Sequence, residues 1–73
     1  MTGNEFLDRV TRYARRHNLT IKFDPAHGKG SHGRLYLGSR DTAVKDRRKE
    51  IGKGLLSKMC RDLGIRVRDL YER

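Results

Sequence analysis

The stretch RLYLGSRDTAV, residues 34–44, decides the fold. Its two leucines alternate with Arg34 and Tyr36, which is the two-residue period of a strand with one buried face. Residues 38–41 are turn-forming, and residues 42–44 can continue as a short third strand. If the leucines pack against helices, His32, Arg34 and Tyr36 share the open face of an antiparallel sheet.

Upstream, the pattern predicts a helix over residues 4–17 and a strand over residues 19–23, where apolar and polar residues alternate. One helix face is formed by Phe6, Val10, Tyr13, Ala14 and His17. Thr2 or Asn4 can cap the helix at its N-terminus. At the other end, the cation of His17 suits the helix dipole, and its ring can cover the core.

Downstream, residues 45–54 are predicted to form a charged loop, because Gly52 and Gly54 would each cost about 1 kcal/mol inside a helix. An apolar stripe then predicts a helix over residues 55–63, ended by Gly64. Cys60 belongs to this stripe and is expected to be a core residue with an inert thiol. The remaining residues supply apolar cover, with one helical turn.

The predicted order is α-β-β-β-α, an α+β fold with both helices packed on one face of a three-stranded antiparallel sheet. With 73 residues, the chain is expected to form a single domain over residues 1–73. A chain of this size buries only about 60% of the surface that it exposes when unfolded, so the core must be small. There is no room for a nucleotide-binding sheet with a second domain.

The charge is strongly basic, with 18 Lys and Arg against 9 Asp and Glu and a formal net charge of +9. Residues 27–61 hold most of this excess, whereas residues 62–73 are balanced. Such a surface attracts polyanions. Nucleic acid is favoured over an acidic membrane, because the basic part lacks a long apolar helical face with bulky anchors.

The single cysteine excludes a disulfide framework and a cysteine-based zinc site, and it suits a reducing compartment. The chain begins MTGNE, with no apolar leader, and it has no run that approaches the ~20 apolar residues of a membrane span. We therefore expect a soluble protein of the cytoplasm.

The hexapeptide GKGSHG, residues 28–33, matches the G-x-G-x-x-G pattern of dinucleotide-binding loops. That pattern requires a strand before it and a helix after it, whereas here a loop precedes and a strand follows. The GXXG loop of KH domains joins two helices, so that context is also absent. His32 heads the second strand, and the glycines around it would give a polynucleotide backbone room to approach.

Cleavage of RNA without a metal needs a group that takes the proton of the attacking 2′-hydroxyl and a group that protonates the leaving 5′-oxygen. His32 can do either near neutral pH. Lys29 and Arg34 can stabilise the phosphoryl charge, and Tyr36 can donate a proton, orient the phosphate or stack on a base. His27 is a further candidate for the second proton carrier, although a solvated loop residue is the more ordinary interpretation.

Two other groups of residues bear on ligands. His27 and His32 with one distant cysteine are a poor metal-ligand set, so no metal is expected. Lys45, Arg47 and Arg48 belong to a charge run that can simply be solvated. In this basic region, they are expected to contact phosphate or an acidic partner protein.

The order of these features resembles the HicA family of toxin ribonucleases from bacterial toxin–antitoxin pairs. The resemblance rests on Gly30-Ser31-His32 opening a strand, Tyr36, a basic loop and GLLSKMCRDLGI, residues 54–65. It implies a fold like that of double-stranded-RNA-binding domains, cleavage of mRNA without metal or cofactor during the stress response, and neutralisation by a HicB-like antitoxin. It also implies that His32 is catalytic, with Gly30 and Ser31 supporting it.

Two other functions fit the same residues. A non-catalytic RNA-binding module would use the same basic face. It would differ from a nuclease only in that His32 has no catalytic role. A small structural protein of a ribonucleoprotein would co-purify with particles rather than with an antitoxin.

Overall fold

The computed structural model describes residues 1–25 and 32–72. In this part of the chain, the elements follow the predicted α-β-β-β-α order, and a 3₁₀ helix comes last. Their bounds are α1 Gly3–Arg16, β1 Ile21–Asp24, β2 Gly33–Leu37, β3 Arg40–Val44, α2 Lys53–Leu63 and the 3₁₀ helix Val67–Tyr71.

The three strands form an antiparallel sheet in the order β1-β2-β3. Leu37 pairs with Arg40, so the loop between β2 and β3 contains only two residues. Gly38 opens this loop with a φ of 59°, a conformation that glycine adopts without steric cost. The third strand therefore begins two residues before the predicted one, because the turn contains two residues rather than the predicted four, 38–41.

Side chains along β2 alternate between the two faces of the sheet, as predicted. Leu35 and Leu37 are buried, whereas Arg34 and Tyr36 are half-buried on the other face. Both helices contribute to the same apolar cluster as the inward side chains of the sheet. The buried members of this core are Phe6, Val10, Ala14, Leu35, Leu37, Val44, Leu56, Met59, Cys60, Leu63, Ile65 and Leu70. The helices therefore pack on one face, as expected.

Helix α1 begins with a capping box. The Thr2 hydroxyl accepts from the Glu5 backbone N–H at 3.2 Å, and the Glu5 carboxylate accepts from the Thr2 N–H at 3.1 Å. The bond from the Thr2 N–H to the carboxylate lowers the pKa of Glu5. Thr2 is thus the cap, and Asn4 lies inside the helix.

The prediction that the ring of His17 covers the core is wrong. His17 follows the last residue of α1, and its side chain is 43% exposed. The ring stacks at a tilt on Tyr13, with 4.2 Å between centroids, and its Nε2 lies 3.1 Å from an oxygen of Glu72. Leu19 is also more exposed than its strand pattern predicted, because β1 begins only at Ile21.

Helix α2 begins at Lys53, two residues before the predicted start. Gly54 is therefore helical, since the burial of Leu56 and Met59 outweighs the low helix propensity of glycine. Gly64 ends the helix with a φ of 74°, as expected. Cys60 is buried, and burial raises the pKa of its thiol to about 11, in agreement with an inert core residue.

Among the elements of residues 1–25 and 32–72, no helix has both the length and the apolar character needed to cross a bilayer.

Candidate functional site

His32 lies immediately before β2 and is exposed. It lines a cavity of about 340 Å³ at the end of the sheet where β2 begins and β3 ends. We call this space the His32 cavity. It lies between the sheet, the start of α2 and the segment that joins β3 to α2, residues 45–52, which we call the basic loop.

The apolar part of the His32 cavity comes from three different elements. Val44 is the last residue of β3, Ile51 belongs to the basic loop, and Leu55 and Met59 lie one helical turn apart on α2. Val44 and Met59 are almost fully buried, whereas Ile51 and Leu55 are only partly covered. An exposed imidazole therefore lies beside an apolar recess that is open to solvent.

Charged side chains of the basic loop complete the lining. Lys45 and Lys49 are exposed, and Asp46 and Glu50 lie beside them in the sequence. The backbone N–H of Arg48 donates to Asp46 at 3.0 Å, and this bond lowers the pKa of the Asp46 carboxyl. The site thus offers both ammonium groups and carboxylates next to His32.

The chain before α1 and its first turn hold the basic loop in place. The backbone N–H of Asn4 donates to Arg47 O at 2.9 Å, and that of Gly3 donates to Lys49 O at 3.3 Å. From the loop, the Ile51 N–H donates to Met1 O at 2.8 Å. The loop that lines the cavity is therefore fixed by backbone hydrogen bonds from the beginning of the chain.

The structure does not bring Arg34 and Tyr36 into the His32 cavity, although the sequence predicted one shared face. Both project from the sheet face opposite the helices, whereas the cavity borders the helix-covered side. Arg34 donates to a carboxylate oxygen of Asp41 across the strand pair. Its positive charge is thus partly balanced within the sheet. Tyr36 lies between Lys22 and Asp41 on the neighbouring strands.

The glycine pattern predicted an open surface at Gly33, beside His32. The structure does not leave one there. A Cβ added to Gly33 would lie 2.5 Å from Cζ of Phe23, so this glycine accommodates the phenyl ring. The Arg47 guanidinium lies over the same ring, 5.1 Å from its centroid. Arg47 therefore packs on an aromatic side chain, and its cation is shared between that contact and any ligand.

Arg48, one of the predicted phosphate contacts, has a side chain that is 85% exposed. Its Nε lies 3.5 Å from Asp46, an exposed pair that is worth little in water. A second, more open depression is lined by Asn4, Asp46, Arg47 and Arg48. Arg48 is thus placed to meet an anion at the outer surface of the basic loop.

Several sequence predictions fall outside the described residues. These are the proposed proton carrier His27, the cation Lys29, the first glycine of the hexapeptide, Gly28, and the supporting pair Gly30 and Ser31.

Sequence reasoning missed the apolar lining of the site. Ile51 lies in the predicted charged loop, and Leu55 and Met59 lie in the apolar stripe that predicts the core face of α2. The available signal was the position of Leu55 at the very start of that stripe, where a helix end leaves one side uncovered. Lys49 lies in the same predicted charged loop.

Within the described ranges, no group of three or more His, Cys, Asp or Glu side chains could hold a metal ion. Comparison with protein-family models, with curated proteins and with solved structures found no match to this chain.

Proposed function

We propose that this protein is a toxin endoribonuclease of the HicA type that cleaves mRNA, with His32 as a general acid or base. One observation supports this function best. His32 is exposed at a cavity that also contains Lys45 and Lys49, so an imidazole and two ammonium groups can meet the same stretch of RNA backbone.

The chemistry requires few groups. The 2′-hydroxyl attacks the adjacent phosphorus, its proton goes to a base, and the P–O5′ bond breaks as the 5′-oxygen takes a proton from an acid. The products are a 2′,3′-cyclic phosphate and a 5′-hydroxyl. An imidazole can fill either role at cellular pH. No cofactor is needed for this reaction.

The basic loop supplies the electrostatic part of the proposal. Lys45 and Lys49 line the cavity, and Arg48 points its charge toward solvent on the same loop. Positive groups near the reacting phosphate stabilise the charge that grows on its oxygens. The net charge of +9 draws the RNA to the protein before these contacts form.

The proposed partner is a HicB-like antitoxin, as the resemblance of residues 30–36 and 54–65 implies. An acidic protein that covers the basic loop would neutralise the charge and block access to His32. In this proposal, both proteins act in the cytoplasm, where mRNA is available.

The test is incubation of the purified protein with a defined RNA in excess EDTA. Fragments that end in a 2′,3′-cyclic phosphate are expected, and a single 2′-deoxy substitution at a mapped cut site should prevent cutting there. Binding without fragments would instead favour the non-catalytic RNA-binding module. Fragments that appear only when a divalent ion is added back would contradict the proposed mechanism.

A further inference from the structure

We propose that the apolar part of the His32 cavity binds one unpaired nucleobase of the RNA, next to the bond that is cut. The proposal rests on the proposed function in taking RNA as the ligand. It assigns a specificity role to Leu55 and Ile51, which the sequence pattern alone would place in structural roles.

The size and lining of the cavity favour a flat, largely apolar group. Its volume of about 340 Å³ lies at the lower end of the range for small-molecule sites, about 300 to 1,000 Å³. Four of the ten lining residues are apolar, and they come from a strand, a loop and a helix. A phosphate or a ribose alone would leave this apolar surface without a complementary partner, whereas a base has two apolar faces.

The charged residues fit the other parts of a nucleotide. Lys45 and Lys49 can contact the phosphates on either side of a base in the recess. One oxygen of each neighbouring carboxylate is already engaged, because Asp46 Oδ1 accepts from the Arg48 N–H and Glu50 Oε2 accepts from the Met1 ammonium. The second oxygen of each can accept a hydrogen bond from the exocyclic amino group of a base, as acidic side chains do with cytosine N4. A base that carries an amino group is therefore the expected occupant.

The cavity is held in shape before any ligand arrives. Backbone hydrogen bonds from Gly3 and Asn4 fix the basic loop, and Leu55 and Met59 are fixed by α2. A preformed recess avoids most of the ordering cost of binding. Discrimination among bases can therefore arise from this site.

The first experiment measures binding without catalysis. The ¹⁵N-labelled protein is titrated with each nucleoside 5′-monophosphate and with ribose 5-phosphate, which lacks the base. Amide signals of Ile51 and Leu55 should shift with the nucleotides, with at least about fivefold tighter binding than for ribose 5-phosphate. Equal shifts and equal affinity for ribose 5-phosphate would overturn the proposal, because only the phosphate would then be bound.

The second experiment compares Leu55→Phe, which fills the recess, with Leu19→Phe, which adds the same ring to an exposed position outside the cavity lining. Circular dichroism and thermal melting check that both variants fold. Leu55→Phe should lose the preference among nucleotides and among bases at mapped cut sites, and Leu19→Phe should keep both. An unchanged base preference in folded Leu55→Phe would contradict the assignment.

The two proposals can fail separately. Base-dependent nucleotide binding by a protein that never cuts RNA would support the base site and contradict the proposed nuclease function. Cutting that depends on His32, combined with base-independent binding, would support the nuclease function and contradict the proposed base site. If Leu55→Phe does not fold, the comparison with ribose 5-phosphate still decides, because it uses the unaltered protein.

Discussion

At the scale of single residues, Gly33 shows how a local pattern gains a different meaning in three dimensions. Because it lies between His32 and Arg34 in the sequence, it was expected to give an RNA backbone room to approach. In the structure, it is buried, and the ring of Phe23 occupies the space where a side chain would lie. The glycine is thus required by the packing between β1 and β2.

We predict that Gly33→Ala destabilises the protein by about 1 to 3 kcal/mol, because the added Cβ overlaps the Phe23 ring and also lies 3.0 Å from Asp24 O. Gly54→Ala is the matched control. It adds the same methyl group to an open position of α2 and should stabilise the helix by about 0.5 to 1 kcal/mol. Urea unfolding measures both changes. Equal stability of Gly33→Ala and the wild type would contradict the packing role.

Asp62 links α2 to the sheet through a buried hydroxyl. Its carboxylate accepts from Thr42 Oγ1 and from Lys58 Nζ, both at 2.9 Å. These two hydrogen bonds lower the pKa of Asp62. Because the folded pKa lies below the unfolded one, the carboxylate stabilises the fold above its ordinary pKa, and this contribution is lost as the pH falls through the folded value.

The expected result for Asp62→Asn is a lower Tm than the wild type at pH 7, with the difference shrinking as the pH falls below about 4. The exposed Asp8 on α1 provides the control, and Asp8→Asn should leave the Tm nearly unchanged at both pH values. Thermal melts across this pH range decide the matter. A Tm difference that stays constant with pH would show that the Asp62 charge does not matter.

At the scale of elements, the contact between α1 and the basic loop is the feature that prepares the site. Gly3 is buried in the first turn of α1, and its N–H donates to the loop. A Cβ at Gly3 would lie 2.7 Å from the Cα of Arg47. The backbone of the loop can therefore reach the helix only because this position has no side chain.

Gly3→Ala should push the basic loop away from α1, since the atom in the way belongs to the backbone and cannot rotate aside. We expect a loss of about 1 to 3 kcal/mol and faster amide exchange at Asn4 and Ile51, whose N–H groups bond across this contact. Gly54→Ala again serves as the control. Unchanged exchange at both amides in Gly3→Ala would argue against the close approach.

The elements themselves were largely predictable, because alternation and helical spacing depend only on which face is buried. The order, the antiparallel sheet and the end of α2 at Gly64 followed from local signals of this kind, which also left Thr2 and Asn4 as the two candidate caps of α1. The start of α2 did not, since tertiary packing of Leu56 outweighed the glycines before it. The cavity was also unpredictable, because Val44, Ile51 and Leu55 meet only after the β3-to-α2 connection folds back on the beginning of the chain.

At the scale of the whole molecule, the apolar core and the basic surface lie in different places. The core lies between the sheet and the helices, and the basic loop lies at the end of the sheet with His32. The formal charge of +9 acts over distances of a Debye length, about 8 Å at physiological salt. Long-range attraction and local contacts thus favour the same polyanionic ligand.

RNA binding should weaken as salt rises, because each phosphate contact releases counterions. In a His32→Ala background that leaves the RNA intact, changing both Lys45 and Lys49 to Gln should reduce the slope of log K against log salt by about 1 to 2. Replacing the exposed Arg68 of the 3₁₀ helix by Gln should change the slope less. Equal slopes for the double variant and its parent would show that the phosphates are bound elsewhere.

The central claim is that His32 transfers a proton during RNA cleavage, and the rate of cutting with and without that imidazole tests it most directly. The measurement is the single-turnover cleavage of one defined RNA in excess EDTA by the wild type and by His32→Ala, with matching circular dichroism spectra as proof of folding. The rate should fall by a factor of about 100 or more, the range for loss of a general acid or base. Cleavage by folded His32→Ala at the wild-type rate would contradict the account.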